Sequence, residues 1–197
     1  MSRASRILIA EDEAIIRLDL REMLEEEGYD VIGEVGDGES AVRLAGELRP
    51  DLVLMDIYMP GMDGLTAAKK ISEDQLAAVL VLTAYSQRQL VDEAARAGAM
   101  AYLVKPFDKS DLVPAIQVAI ARWDESRALA AESKDLSERL ETRKVVERAK
   151  GILMETHGMS EADSFRAIQQ AAMRKRLTMR AVADLILSGD QELLAGS

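Results

Sequence analysis

The chain has 197 residues, is 48% hydrophobic and 30% charged, and carries a net charge of −10. This is the composition of a folded, water-soluble protein of one large or two small domains, not of a disordered chain. The absence of cysteine excludes disulfides, thiol catalysis and cysteine-ligated zinc, and a single histidine, His157, argues against a histidine metal site or triad. No apolar run approaches the roughly 18 residues of a membrane span and no signal peptide precedes the first strand, so the expected compartment is the cytoplasm.

Along residues 1–125 strand and helix patterns alternate. Strands are expected near 6–10, 30–35, 51–56, 78–83 and 101–104. They are short and rich in Val, Ile and Leu, as in a parallel sheet covered on both faces. Helices are expected near 14–27, 38–48, 64–72, 87–97 and 110–125. Gly28 and Gly98 lie just past helix ends, where a left-handed residue is favoured. Ser110-Asp111 is the expected cap of the fifth helix, with Pro114 in its first turn. Five strand-helix repeats predict a doubly wound α/β domain with its site at the C-terminal strand ends.

Beyond residue 115 no strand pattern is present. Residues 115–156 hold no proline and one glycine, Gly151, and predict one long helix or two in register. Leu129, Ser133, Leu136 and Leu140 follow a 4-3-4 spacing that resembles a short coiled-coil seam, which Arg143 and Glu147 do not continue. Gly158 is expected to end the helix. Ser160-Glu-Ala-Asp163 is a capping-box-like start for a second helix to about Lys175, and Thr178 caps a third that ends before Gly189. About 50 residues is small for an independent core, which makes packing against a second copy plausible. The expected organisation is a domain over 1–122, a helical linker over 123–140 that carries the coiled-coil-like seam, and an all-α three-helix domain over 141–197.

Charge divides along the same line. Residues 1–125 hold 13 basic and 24 acidic residues, and residues 126–197 hold 12 and 11. Residues 142–180 hold nine basic and four acidic residues, a local +5. A polyanion would avoid the first half and could be tolerated by part of the second.

Candidate chemistry sits at the strand ends. The run Arg6-Ile-Leu-Ile-Ala10 ends on Glu11-Asp12-Glu13, and Asp51-Leu-Val-Leu-Met-Asp56 ends on Asp56 before the turn Met59-Pro60-Gly61-Met62-Asp63-Gly64. Clustered carboxylates repel unless a cation joins them, and hard divalent cations take oxygen ligands. Glu11, Asp12 and Asp56 are therefore a candidate Mg²⁺ site, with the backbone carbonyl of Tyr58 as a further oxygen. The fourth strand ends on a hydroxyl, Thr83, and the fifth on an amine, Lys105. Carboxylate, hydroxyl and lysine together suit a phosphoryl group on Asp56, since phosphoryl transfer needs positioning and charge neutralisation more than covalent help.

These residues resemble the receiver domains of two-component response regulators over about residues 5–122. Glu11-Asp12 matches the family's acidic pair, as a Glu-Asp variant of Asp-Asp. Asp56 matches the phosphoacceptor, Thr83 the hydroxyl, Lys105-Pro106 the lysine and its usually cis peptide, and Tyr102 the switch aromatic. The resemblance implies a flavodoxin-like fold and phosphorylation of Asp56 by a sensor histidine kinase. It also implies inward movement of Thr83 and Tyr102 that reshapes the face formed by the fourth helix, fifth strand and fifth helix.

Residues 137–188 resemble the ANTAR domain, the output module of AmiR- and NasR-type antitermination regulators. Val146-Glu-Arg-Ala-Lys-Gly-Ile-Leu-Met154, Gly158-Met-Ser-Glu161, Ala171-Ala-Met173 and Arg180-Ala-Val-Ala-Asp-Leu-Ile186 carry the match. It implies a module that binds hairpin loops in nascent transcripts and favours antitermination. Lys144, Arg148, Lys150, Arg174, Lys175 and Arg176 are the candidate RNA contacts, since such a patch gives salt-sensitive phosphate binding. Phe165 is read as core, as are Met154, Met159, Met173 and Met179. Gly151, costly inside a helix, suggests close approach by another helix or by RNA backbone. The chain is expected to be a regulator and not an enzyme, dimerising on phosphorylation. Two alternatives stand beside this reading. One is a response regulator using its last helices on duplex DNA, although Thr178–Leu187 offers only Arg180 as a strong base reader. The other is signalling through protein partners alone.

Overall fold

In the computed structural model, which describes residues 3–84 and 88–189, the chain divides into two compact units, Met1–Arg127 and Ala128–Ser197. The first contains β1 (Arg6–Ala10), α1 (Ala14–Glu26), β2 (Asp30–Val35), α2 (Gly38–Leu48), β3 (Leu52–Asp56), α3 (Gly64–Glu73), β4 (Ala78–Thr83), α4 (Arg88–Arg96) and β5 (Ala101–Val104). It also contains the start of α5 (Lys109–His157). All strand pairings are parallel and the order is β2-β1-β3-β4-β5. The strand order reverses between β1 and β3, and a doubly wound sheet places its ligands at the carboxyl ends beside that reversal.

The two-residue period of a strand explains why the sheet is buried on both faces. Leu8, Ala10, Val53, Met55, Val79 and Val81 face one core with α2 and α3. Ile7, Ile9, Leu52, Leu54, Leu80 and Leu82 face the other, with α1 and α5. The central strands β1, β3 and β4 are buried on both sides, whereas the edge strands β2 and β5 are partly exposed, with Asp30 and Glu34 on β2 and Tyr102 on β5 reaching water. Gly28 (φ +82) and Gly98 (φ +83) occupy the expected left-handed positions. Residue 87, assigned to the fourth helix from sequence, lies outside the described residues.

Two expectations about the start of α5 are corrected. The cap is Asp108, not Ser110-Asp111: its carboxylate accepts from the Ser110 N–H at 2.7 Å and from the Ser110 hydroxyl at 2.6 Å. The helix therefore begins a turn before Pro114, which lies inside it and removes one intrahelical bond.

α5 is a single helix of 49 residues. In the second unit its later part packs with α6 (Glu161–Lys175) and α7 (Met179–Leu187). Val146, Ala149, Leu153, Ile168, Ala171, Val182, Ala183 and Ile186 form that core. Gly158 (φ +64) follows α5, and Ser160 and Thr178 cap the next two helices by accepting from the N–H groups of Asp163 and Ala181. Leu129, Leu136 and Leu140 lie exposed on α5.

Part of the expected core is not core. Phe165 is 43% exposed, Met154 42% and Met173 75%, whereas Met159 and Met179 pack against the cluster. The small residues Ala149, Ala171, Ala172 and Ala183 bring the helices close, and the long side chains are left at the margin. Gly151 has nothing within 4 Å of the place a Cβ would take, so no neighbouring helix of this chain explains it.

Candidate functional site

Glu11 and Asp12 follow β1, and Asp56 ends β3, so the central strands deliver all three carboxylates to the reversal point of the sheet. One oxygen from each lies within 4.8 Å of the others. Lys105, just past β5, donates to Glu11 Oε2 and to Asp56 Oδ1, both at 2.6 Å. Glu11 and Asp56 are buried and Asp12 is exposed, so the cluster is open on one side only.

Burial pushes the Glu11 carboxyl above its ordinary value, and the hydrogen bond from Lys105 opposes that without cancelling it. Burial also works against the Lys105 charge. Its hydrogen bonds to Asp56 and Glu11 outweigh burial and hold the ammonium above the ordinary lysine value. The result is three carboxylates facing one ammonium, a donor set of hard oxygens with an excess of negative charge. This fits a divalent cation of the Mg²⁺ class better than a softer metal.

Backbone geometry supports the cluster. The Tyr58 N–H donates to Asp56 Oδ2 at 2.8 Å, holding the carboxylate from the side opposite Lys105. Arg17, unremarked in the sequence, donates to the Glu11 carbonyl and braces the β1 end. Thr83 is buried at the end of β4, and its carbonyl accepts from the Lys105 N–H at 2.7 Å, so hydroxyl and lysine lie on adjoining strand ends. Lys105-Pro106 is cis. Tyr102 pairs with Val81 in the ladder and is 48% exposed, so its ring stands outward.

Gly64 is a supporting residue that sequence reading passed over. It opens α3 against the back of Asp56, where a Cβ would sit 1.8 Å from the Asp56 carbonyl oxygen. The signal was present in the Asp63-Gly64 step, a helix cap followed by a residue without a side chain.

The basic residues of the second unit separate into two kinds. Lys150, named above as an RNA contact, is buried, and its ammonium donates to Glu147 Oε2 at 2.9 Å and to Glu161 Oε1 at 2.7 Å. Those bonds, the one it donates to Glu161 first, hold the ammonium above the ordinary lysine value. This corrects the expectation: Lys150 ties α5 to the first turn of α6 and is not a cation facing solvent. Lys144 is exposed but bonded to Glu141 at 2.8 Å. Arg148, Arg174, Lys175 and Arg176 are exposed and have no ion pair among the described residues.

The response regulator receiver domain model matches residues 7–117, and the ANTAR domain model matches residues 134–187. This chain belongs to the response regulator family, as a receiver joined to an ANTAR output domain. It is 59% identical over 182 residues to the transcriptional regulatory protein PdtaR of Mycobacterium tuberculosis, covering 92% of this chain and 89% of that protein. It is 43% identical over 112 residues to the chemotaxis protein CheY of Thermotoga maritima, covering 56% of this chain and 93% of CheY. Among solved structures, the receiver domain of the sensor histidine kinase PA1611 of Pseudomonas aeruginosa holds a magnesium ion in its active-site cleft. It aligns with a TM-score of 0.55 at 32% identity, over 60% of this chain and 99% of that one. The receiver domain of a modulated diguanylate cyclase from Desulfovibrio desulfuricans aligns with a TM-score of 0.58 at 33% identity, over 63% and 99%. As a two-component regulator of the ANTAR class, the protein couples a receiver to an RNA-binding antitermination output. Among the described residues no helix is long and apolar enough to cross a membrane.

Proposed function

We propose that Asp56 is the phosphoacceptor of this response regulator, and that its phosphorylation by a sensor histidine kinase controls binding of hairpin RNA in nascent transcripts. The observation that carries the first part is the double hydrogen bond of Lys105, at 2.6 Å to each of Glu11 and Asp56, inside a three-carboxylate cluster. Glu11, Asp12, Asp56 and the Tyr58 carbonyl hold Mg²⁺. When bound, the ion neutralises charge that builds on the transferring phosphoryl oxygens.

The Asp56 oxygen attacks phosphorus as the N–P bond of the partner's phosphohistidine breaks, leaving an acyl phosphate on Asp56 and a histidine on the kinase. Lys105 exchanges its carboxylate partner for a phosphoryl oxygen, and the Thr83 hydroxyl donates to another. Tyr102, standing outward beforehand, turns in behind Thr83. The domain limits are 1–122 for the receiver, 123–140 for the linker and 141–197 for the output module. Leu129, Leu136 and Leu140 form the seam of a dimer made on phosphorylation, and two modules then hold two hairpins. Arg148, Arg174, Lys175 and Arg176 contact phosphates, with Lys144 at the margin.

The test is a salt titration of the beryllofluoride-treated protein against a paired-hairpin RNA and a duplex DNA of equal length. RNA-selective binding is expected, lost in Asp56→Asn. Each phosphate contact made to single-stranded loops adds about −0.7 to the salt slope. Equal binding to duplex DNA would move the output to DNA, and binding to neither would move it to protein partners.

A further inference from the structure

At the edge of the receiver opposite Asp56, where the strands begin, a cavity of about 450 Å³ opens between the segments preceding β1, β3 and β4 and the face of α5. Its whole lining belongs to the first compact unit. Five residues of β1, roughly 16 Å of strand, separate it from the carboxylate cluster. A cavity of this size matches small-molecule sites, which run from about 300 to 1,000 Å³.

The chemistry of its wall is unlike the rest of the domain. Arg3, Arg49 and Arg127 come from three separate segments and converge on the one concavity, in a unit, residues 1–127, that carries 24 acidic and 14 basic residues. The guanidiniums of Arg3 and Arg127 have no hydrogen bond or ion pair among the described residues, and that of Arg49 donates only to the Gln75 carbonyl, at 3.5 Å. Elsewhere in this unit Arg21 stands against Glu25 and Glu34 and Arg43 against Glu47, while the guanidiniums of Arg6 and Arg122 donate to the carbonyls of Arg49 and Met100. Two carboxylates share the wall. Asp51 accepts from the Arg6 N–H at 2.7 Å, whereas Asp124 has no such partner among the described residues. Ile120 and the Trp123 ring supply an apolar side.

We propose that this cavity binds a small organic phosphate whose organic part carries hydroxyl or amino groups. Guanidiniums form forked hydrogen bonds to phosphate, and converging arginines otherwise repel one another. Asp124 is placed to accept from a hydroxyl or amine, and the Trp123 side covers carbon. This site is independent of the phosphoacceptor and gives the receiver a second input.

Trp123 is the chain's one tryptophan, so the site carries its own reporter. The full-length protein is titrated without Mg²⁺ with ribose 5-phosphate and with AMP, and with ribose and adenosine as controls. Tryptophan emission is followed alongside calorimetry. Saturable binding of at least one phosphate is expected, with none of its unphosphorylated partner. Arg49→Gln and Arg127→Gln, both exposed positions, each weaken it by about tenfold, the loss of one charge-assisted hydrogen bond. Asp56→Asn leaves it unchanged. The proposal is overturned if neither phosphate binds by either measurement. It is also overturned if the unphosphorylated compounds bind as well, or if binding survives the double arginine variant.

Discussion

Replacing Gly64 by alanine tests whether the backbone behind Asp56 is as closely packed as its geometry indicates. A Cβ on Gly64 falls 1.8 Å from the Asp56 carbonyl oxygen, 2.8 Å from its carbon and 3.0 Å from the Ile57 Cα. Ordinary contact starts near 3.4 Å, so the chains must part by about 1.6 Å. The obstacle is backbone, which cannot swing away as a side-chain tip can. The Gly64 N–H also donates to the Ile57 carbonyl at 2.9 Å, and that bond lengthens with the displacement. Overpacking of this kind costs about 1–3 kcal/mol. At roughly 2–4 °C per kcal/mol for a chain of this length, the receiver melts about 2–12 °C lower. The larger consequence is at the site. Asp56 is held by Tyr58 on one oxygen and Lys105 on the other, and a shift of about 1 Å at a reacting group costs on the order of 100-fold. Beryllofluoride affinity in the presence of Mg²⁺, followed with calorimetric melting, reads both effects. Gly151→Ala is the control: with nothing within 4 Å, it gains about 1 kcal/mol of helix propensity. A Gly64→Ala protein that melts with the parent and binds beryllofluoride equally well refutes the packing argument.

Two further outcomes follow from side-chain geometry. Lys150→Met and Glu161→Gln each lower the melting temperature of the helical unit, because the first leaves Glu147 and Glu161 without their cation and the second leaves the buried Lys150 with Glu147 alone. The reversal Lys150→Glu with Glu161→Lys recovers part of the loss, and lack of any recovery in a thermal double-mutant cycle would dismiss the tie. Asp37 caps α2 by accepting from the Ser40 N–H at 2.8 Å, which holds its carboxyl below the ordinary aspartate value. A depressed folded-state pKa contributes stability above the unfolded value, lost as pH falls through the folded one. Asp37→Asn keeps the cap without titrating, so below pH 3.8 its stability falls less steeply than that of the parent, and parallel acid-unfolding curves would contradict the assignment.

The receiver was legible because its strands are short and four of the five, β1, β3, β4 and β5, are apolar and closed by a residue with chemistry. The buried central strands leave no polar positions within them, and the ends of parallel strands point to one edge whatever the helix packing. Glu11, Asp12, Asp56 and Lys105 therefore came together in space as their strand-end positions required. What the linear order could not reveal was the return path. That Gly64 lies on Asp56 and that Arg17 braces the Glu11 carbonyl depend on where α3 and α1 begin relative to the strands before them. The cavity between Arg3, Arg49 and Arg127 depends on segments that are remote in sequence. In the helical unit, core membership misled at Phe165 and Met173, since alanines at the closest helix contacts push long side chains outward.

Lys150 shows why the basic patch was harder to read than the acidic one. On a helix Lys144, Arg148 and Lys150 are all plausible solvent-facing cations, and spacing does not distinguish them. The difference arises at the start of α6. Lys150 is brought to that helix's N-terminal turn, where the dipole disfavours a cation. Glu161 in that turn and Glu147 on α5 both reach the ammonium, offset the dipole and make burial tolerable. The local excess of positive charge thus loses Lys150 to internal structure and part of Lys144 to Glu141. The charges left for a polyanion are Arg143 and Arg148 on α5 and the run Arg174, Lys175 and Arg176 at the end of α6. That run lies where a helix C-terminus favours cations, so holding them together costs little in the absence of a ligand. Arginines dominate this remainder, and a planar guanidinium can both bind phosphate and stack on an unpaired base. With Phe165 the sole aromatic of residues 126–197, hairpin-loop recognition by this unit would fall largely to these arginines.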